Sequence, residues 1–341
     1  MEKTNENSAP SPQQRWDPFL KEWVIYAPAR SKRPFQGKEF AKNEPKKTWT
    51  CPFCPDAPEG AGIWTVKQLP NRFASLNEIA PEFVQKSVGN LYNYQTASNY
   101  GKCEVILYSQ DHDTSFGTLA MANIVALIDL WGERYIALQN IPEMRYPFIM
   151  ENRGKEIGNS MTHPHGQIYS FPYLPPKMER KFTAFKDYAS TNQSCLMCDI
   201  LQEELRDSSR IIEQNEDFIA EIPFYAHWAF EVQITAKRHV SSIADLSPSE
   251  RSNLAVIMQN VVRRYDALFG DGGIMPYVMA MYNAPVNVDD RDRWHFHIEF
   301  YTPFRGKDKW KFLAGVELGA NTFISDALPE QNAKILRDLQ I

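Results

Sequence analysis

The alternation of apolar and polar positions along this chain lays out one plan twice. In the first half "CEVILYSQDH" (103–112) alternates with the period of two that marks a half-buried strand, and it ends on His112. In the second half "FEVQITAKRH" (230–239) does the same and ends on His239. After each run the period lengthens to that of an amphipathic helix. The predicted apolar face is Ile124, Leu127, Ile128, Trp131, Tyr135 and Leu138 in the first half, and Leu254, Ile257, Met258, Val261, Tyr265 and Leu268 in the second. The second helix has marked ends: Ser247 as cap, Pro248 at the first position, Glu250 closing a capping box and Gly270 past the last turn.

Each half then offers a further strand, "RYPFIM" (145–150) and "PYVMAM" (276–281), and a final strand that reads His-x-His-x-polar. In the first half that is His163, His165 and Gln167; in the second it is His295, His297 and Glu299. Residues two apart in a strand share a face, so each trio converges on one side of its sheet. Pro164 and Gly166, inside "HPHGQ", predict an edge strand or a bulge in place of a central ladder. The stretch "FPYLPPKMERKF" (171–182) is proline-rich and then charged, which reads as a linker over 174–184. The pattern therefore predicts an α+β protein of two similar halves, 15–173 and 185–341, forming a mostly antiparallel sheet flanked by helices, with 1–14 as a disordered tail.

A net charge of -5 gives no basic footprint for a phosphate backbone, so nucleic acid is not an expected partner. "MEKTNENSAPSPQQ" lacks the apolar core of a signal peptide, and the most apolar later stretch, "LAMANIVALIDLWG" (119–132), is interrupted by Asn123 and Asp129. A cytoplasmic protein with no membrane partner is expected. Of the five cysteines, four form C-x-x-C pairs, which in a reducing compartment point to metal more than to disulfides. A thioredoxin-like redox pair is the competing reading, but neither pair opens a helix after an evident parallel strand.

Zinc favours four thiolate or imidazole ligands in a tetrahedron, and Cys51, Cys54, His112 and His163 supply such a set with no position left open. The predicted zinc is therefore structural and fixes the strand that carries His165. Cys195, Cys198, His239 and His295 predict a second closed zinc site in the same order. His227, in "YAHWAF", has no counterpart in the other half and reads as structural. His165 is outside the metal set, and a neutral imidazole is a good nucleophile near neutral pH. Attack on an α-phosphate would give a phosphoramidate. Gln167 can donate to a phosphoryl oxygen but cannot protonate a leaving group, which favours leaving groups that are already phosphates.

"HPHGQ", with "CPFC" (51–54), "SQDH" (109–112) and "ENRGKEIGNSMTH" (151–163), resembles the galactose-1-phosphate uridylyltransferase family, a branch of the histidine-triad superfamily. The similarity runs from "DPFLKEWVIYAPARSKRPFQG" (17–37) to "KWKFLAGVEL" (309–318). The resemblance implies two histidine-triad-like repeats and a ping-pong exchange of UDP-glucose and galactose 1-phosphate for glucose 1-phosphate and UDP-galactose. In it His165 carries UMP, with its other ring nitrogen held by a backbone carbonyl of the motif, and Gln167 binds the phosphoryl oxygens. It further implies that Arg30, Arg33, Asn71, Asn152 and Ser160 line the nucleotide and phosphate site. Lys311, Phe312 and Glu317 would approach the sugar phosphate from the other subunit of a homodimer.

Departures from the family pattern qualify these expectations. Some members hold iron in the second half through a glutamate and three histidines; here Lys181 stands near the glutamate's place and Tyr282 at one histidine's, so iron is not expected. Val316 and Phe323 replace a tyrosine and a glutamine near the sugar, which weakens the claim for galactose in particular. The rival activities are an ADP-sugar phosphorylase or adenylyltransferase of the same superfamily, a histidine-triad nucleotide hydrolase, and a zinc-stabilised binding module without catalysis.

Overall fold

Both amphipathic helices form with the expected faces inward. Ile124, Leu127, Ile128, Trp131, Tyr135 and Leu138 are fully buried, as are Leu254, Ile257, Met258, Val261 and Tyr265, while Leu268 is partly covered. The second helix begins with the capping box: the Glu250 N–H donates to Ser247 Oγ and the Ser247 N–H donates to the Glu250 carboxylate. It ends at Gly270 in a positive-φ conformation that favours glycine.

The structure, a computed structural model, describes residues 13–26, 51–78, 86–88, 91–159, 161–270, 272–307, 309–325 and 327–341. In chain order the elements are β1 (Gln13–Asp17), β2 (Glu22–Tyr26), β3 (Lys67–Pro70), β4 (Lys86–Val88), β5 (Leu91–Ser98), β6 (Lys102–Leu107), α1 (Met121–Gln139), β7 (Tyr146–Arg153), β8 (His165–Phe171), α2 (Pro176–Asn192) and α3 (Leu196–Asp207). There follow β9 (Ile211–Gln214), β10 (Phe218–Glu221), β11 (Val232–Ala236), α4 (Pro248–Phe269), β12 (Tyr277–Tyr282), β13 (His297–Tyr301), β14 (Phe304–Gly306), β15 (Lys309–Trp310), α5 (Gly315–Ala320) and α6 (Pro329–Asp338).

Nine strands form one antiparallel sheet in the order β3-β6-β8-β7-β12-β13-β11-β10-β9. Read outward from the β7–β12 seam, the order is β7-β8-β6-β3 on one side and β12-β13-β11-β10 on the other, so the sequence repeat becomes a repeat in space. The architecture is α+β with a mostly antiparallel sheet, as the pattern predicts. The β12–β7 seam is itself a regular ladder, from Tyr277↔Arg153 to Met281↔Ile149. A smaller sheet, β2-β1-β5-β4, lies outside the repeat. α1 and α4 pack against each other and bury one face of the large sheet, with Trp131, Tyr265 and Phe300 among the fully buried side chains. Burying each such aromatic contributes about 2–3 kcal/mol. On the other face α2 and α3 bring Met178, Phe182, Phe185 and Met197 against Tyr282 and Trp294.

Four expectations change. The segment 174–184 is no loop: Pro176 opens α2, whose buried residues Met178, Phe182, Phe185 and Ala189 follow a helical spacing. β8 is neither an edge nor bulged; it lies between β6 and β7 in unbroken register. Pro164 stands just before the strand, where no ladder N–H is required, and its carbonyl accepts from the Tyr108 N–H at 3.1 Å. β6 and β11 are covered on both faces, because helices or the cysteine loops pack on each side, so the polar positions in their alternation are buried as well. Gln13 and Gln14, read as the end of the tail, are paired in β1; residues 1–12 lie outside the described residues.

Candidate active site

His163 and His165 stand at the start of β8 because the strand enters the sheet beside the end of β6. The His163 Nε2–H donates to the Ser109 carbonyl at 2.8 Å, which leaves Nδ1 as its lone-pair nitrogen. That Nδ1 lies 3.9 Å from Cys54 Sγ, and His112 Nδ1 lies 3.4 Å from the same sulfur. His112 turns its Nε2 to Thr162 Oγ1 at 3.0 Å. The donor atoms of Cys51, Cys54, His112 and His163 all fall within 4.8 Å of one another. Burial holds the His163 pKa below its usual value, so the ring presents the neutral form that a metal takes.

His165 uses its ring the other way round. Its Nδ1–H donates to the His163 carbonyl at 2.8 Å, so the lone pair is on Nε2, toward the face that Gln167 shares. Phe53, between the two cysteines, packs its ring 5.3 Å from that of His165. Asn71 Nδ2 donates to Gln167 Oε1 at 3.2 Å, and Asn71 Oδ1 in turn accepts from the Phe73 N–H at 2.9 Å. This chain fixes which way the Gln167 amide points and leaves its NH2 group as the donor. Asn152 lies on the same face of β7, where continuing the Met150↔Gln167 register brings it level with His165. Gly166 separates the two functional side chains, and a Cβ there would come within 2.3 Å of the Tyr108 hydroxyl oxygen.

The second half repeats this frame. Cys195, Cys198, His239 and His295 bring their donor atoms within the same 4.8 Å. His295 Nε2 donates to the Ala236 carbonyl and His239 Nε2 to the Asp292 carbonyl, each at 2.8 Å. Hydrogen bonds from Cys198, His239 and His295 hold the Cys195 thiol far below its ordinary pKa, as befits a thiolate ligand. Cys195 caps α3, so this pair does open a helix; two converging imidazoles still distinguish it from a redox pair. His297 Nδ1 donates to the His295 carbonyl at 2.8 Å, as His165 does to His163.

What differs is the group beyond Nε2. His297 is fully buried, stacked on Tyr282 with centroids 4.9 Å apart, and its Nε2 meets Lys181 Nζ at 2.8 Å. Lys181 also pairs with Glu299 at 2.5 Å, and Lys177 pairs with the other Glu299 oxygen at 3.0 Å. Burial and then the Lys181 charge push the His297 pKa down to about 4. Burial alone would raise Glu299, but Lys181 outweighs it and keeps the carboxyl well below its usual range. These residues do not suit an iron ion, since the cation at that position is the lysine's own. Sequence reasoning noted Lys181 only as a departure; its partners follow from α2, which the proline-rich start concealed.

Arg30, Arg33 and Ser160 fall outside the described residues. Lys311 and Glu317 pair at 3.0 Å, with Lys311 near the rings of Trp228 and Phe323 and Phe312 strongly exposed. His227 is half exposed, its ring edge-on to that of Phe323 with centroids 4.7 Å apart and its backbone N–H donating to Glu231. No helix among the described residues is long and apolar enough to cross a membrane.

Fold and site together define a two-repeat α+β protein built on paired His-x-His strands, the second of which is covered by α2. The chain belongs to the galactose-1-phosphate uridyl transferase family, whose N-terminal domain model matches residues 2–175 and whose C-terminal domain model matches residues 181–341. It is 36% identical over 328 residues to the galactose-1-phosphate uridylyltransferase of Thermotoga maritima, covering 96% of this chain and 98% of that relative. A solved uridylyltransferase structure superposes with a TM-score of 0.82 at 31% identity, covering 95% of this chain and 97% of that one. An ADP-glucose phosphorylase of Arabidopsis thaliana shares the fold, with a TM-score of 0.71 at 21% identity over 97% of this chain and all of that one.

Proposed function

We infer that the chain is a nucleotidylyltransferase that exchanges the uridylyl group between UDP-glucose and a hexose 1-phosphate, galactose 1-phosphate being the acceptor its family name gives. The observation that carries this reading is the tautomer of His165. With Nδ1–H tied to the His163 carbonyl, Nε2 offers its lone pair beside the Gln167 amide, whose orientation Asn71 sets. Nε2 attacks the α-phosphorus of UDP-glucose; the P–N bond forms as the bond to the bridging oxygen breaks, and that electron pair leaves on glucose 1-phosphate. The leaving group is already a phosphate, so no proton donor is required and Gln167 suffices. A phosphate oxygen of the incoming hexose 1-phosphate then attacks phosphorus, the P–N bond breaks and the imidazole is regenerated. Gln167 and Asn152 are assigned to the phosphoryl oxygens. A donor at that position is worth about 3 kcal/mol in comparable acyl-transfer sites.

Both Cys2His2 sets suit zinc in their donor chemistry and their inward Nδ1 atoms. Zinc held by Cys51, Cys54, His112 and His163 would fix the entry of β8, and zinc held by Cys195, Cys198, His239 and His295 would fix β13. Lys311, Phe312 and Glu317 are assigned to the sugar-phosphate side of a partner subunit's site in a homodimer; the strong exposure of Phe312 supports this. Thiolate sets kept reduced suit a cytoplasmic setting.

The test is intact-mass analysis after incubation with UDP-glucose alone. A uridylyl adduct on the wild type, lost in His165→Ala and discharged by galactose 1-phosphate, is expected. An adenylyl adduct from ADP-glucose without a uridylyl adduct, or release of free UMP faster than exchange, would overturn the reading.

A further inference from the structure

Behind the motif strand, on the side of the sheet that faces α4, lies a group of charged and phenolic side chains that uridylyl transfer does not itself employ. Glu151 of β7 is 5% exposed, and continuing the Ile149↔Ile168 and Met150↔Gln167 pairs places it beside Gly166. Its carboxyl accepts from the Tyr277 hydroxyl at 3.1 Å, and the phenol of Tyr108, the residue after β6, faces it with no hydrogen-bond partner of its own among the described residues. That phenol occupies the space a side chain at Gly166 would take. Two residues on along the same face, Arg153 makes a bidentate pair with Asp266 of α4 at 2.9 and 2.8 Å and lies over the Tyr277 ring. Asp266 also accepts from the Met275 N–H at 3.0 Å. Arg153 runs directly into Gly154, which has φ 98° and sits where a Cβ would come within 2.6 Å of Pro276. The segment 154–159 therefore leaves the sheet from a point that the Arg153–Asp266 pair fixes.

We propose that Glu151 is a positioning residue for uridylyl transfer: neutral, it holds Tyr277 and stands beside the Tyr108 phenol behind Gly166 and leaves Arg153 to Asp266; ionised, it competes for Arg153 and loosens both the motif strand and the 154–159 segment. In the neutral form one oxygen accepts from Tyr277 and the O–H points a donor at the Tyr108 hydroxyl oxygen, which has no other hydrogen-bond partner among the described residues. In the ionised form Arg153, the cation that faces it among the described residues, is already committed to Asp266. The groups facing Glu151 are Tyr108 just after β6, Tyr277 from β12, Arg153 from β7 itself and Asp266 from α4. Burial pushes the Glu151 carboxyl up to about 7 against the opposing pull of Arg153 and the two phenols, so the change of form falls in the working range. The proton is lost as pH rises, so positioning, and with it kcat, declines on the alkaline side.

The proposal rests on the uridylyl-transfer reading, and the experiment separates the two. Wild type, Glu151→Gln and Glu151→Ala are compared as full chains across neutral pH in two measurements: kcat and KM for exchange, and the rate at which diethylpyrocarbonate modifies His165 relative to His227. Wild type is expected to lose kcat on the order of tenfold above its midpoint, with KM for UDP-glucose changing less. Glu151→Gln, which keeps the neutral shape, is expected to lack that alkaline fall and to show a flat His165 modification ratio relative to wild type. An identical alkaline limb and identical modification profile in Glu151→Gln would overturn the proposal. Absence of exchange in wild type would overturn the functional reading instead, and the modification profile would still decide the role of Glu151. Where Glu151→Ala fails to fold, the glutamine variant carries the comparison.

Discussion

At Gly166 the chain passes between the His165 and Gln167 side chains while Tyr108 presses on the opposite face, leaving no room for a methyl group. Gly166→Ala is therefore expected to destabilise the protein by about 1–3 kcal/mol, seen as a lower urea midpoint. Adding Tyr108→Phe, which removes the nearest atom, should restore most of that loss; equal midpoints for the single and double variants would show that the contact is not what excludes a side chain. The two histidine pairs make the same point about chemistry. His165 and His297 have the same tautomer, set by the same bond to a carbonyl two residues back. What differs is the setting of Nε2, which in His297 is buried against Lys181 Nζ.

At the scale of elements, α2 decides what the second half can do. It places Lys177 and Lys181 one turn apart, both on Glu299, with Lys181 also against His297. Lys181→Met removes the nearer charge and leaves Glu299 buried, so a loss of about 3 kcal/mol at neutral pH is expected in urea unfolding. Glu299 has a folded pKa well below its unfolded value near 4.5, so this stabilisation is present above that value and lost as pH falls through the folded one. The gap between wild type and variant should thus narrow in acid. The uridylyl adduct on His165 should survive, because the substitution lies on the other half of the sheet. A constant gap at all pH values would assign the loss to packing.

Element by element, what the chain disclosed and what it hid have physical reasons. The faces of α1 and α4 were legible because each buries one stripe and exposes the rest, and the Ser247–Glu250 cap marks a start that local bonds enforce. α2 was hidden because Leu174, Pro175 and Pro176 look like loop, although Pro176 in the first turn and Met178, Phe182, Phe185 and Ala189 were a helix signal. The central place of β8 was hidden by reading Pro164 as part of the strand. The metal sets were legible from residue type and order alone, whereas Glu151 and Lys181 owe their roles to neighbours more than a hundred residues away.

For the whole molecule, the duplicated frame predicts two metal ions of unequal consequence. Elemental analysis is expected to find about two zinc ions per chain, one for each set. Replacing Cys195 and Cys198 with Ser should remove one and lower the melting temperature while the His165 adduct still forms. Replacing Cys51 and Cys54 should remove the other and abolish the adduct, since β8 would lose its anchor. Equal loss of activity in both variants would mean that the second set does more than hold β13.

The β7–β12 seam joins the halves through an uninterrupted ladder. During synthesis, strands β6, β7 and β8 with α1 emerge before any strand of the second half, and β7 stays an open edge at what will be the middle of the sheet until β12 has been made. A first half released alone would therefore present unpaired backbone along β7, a template on which a second nascent chain can add its own strand. The half that carries the HPHGQ strand depends on its sister for shelter from the moment it is made.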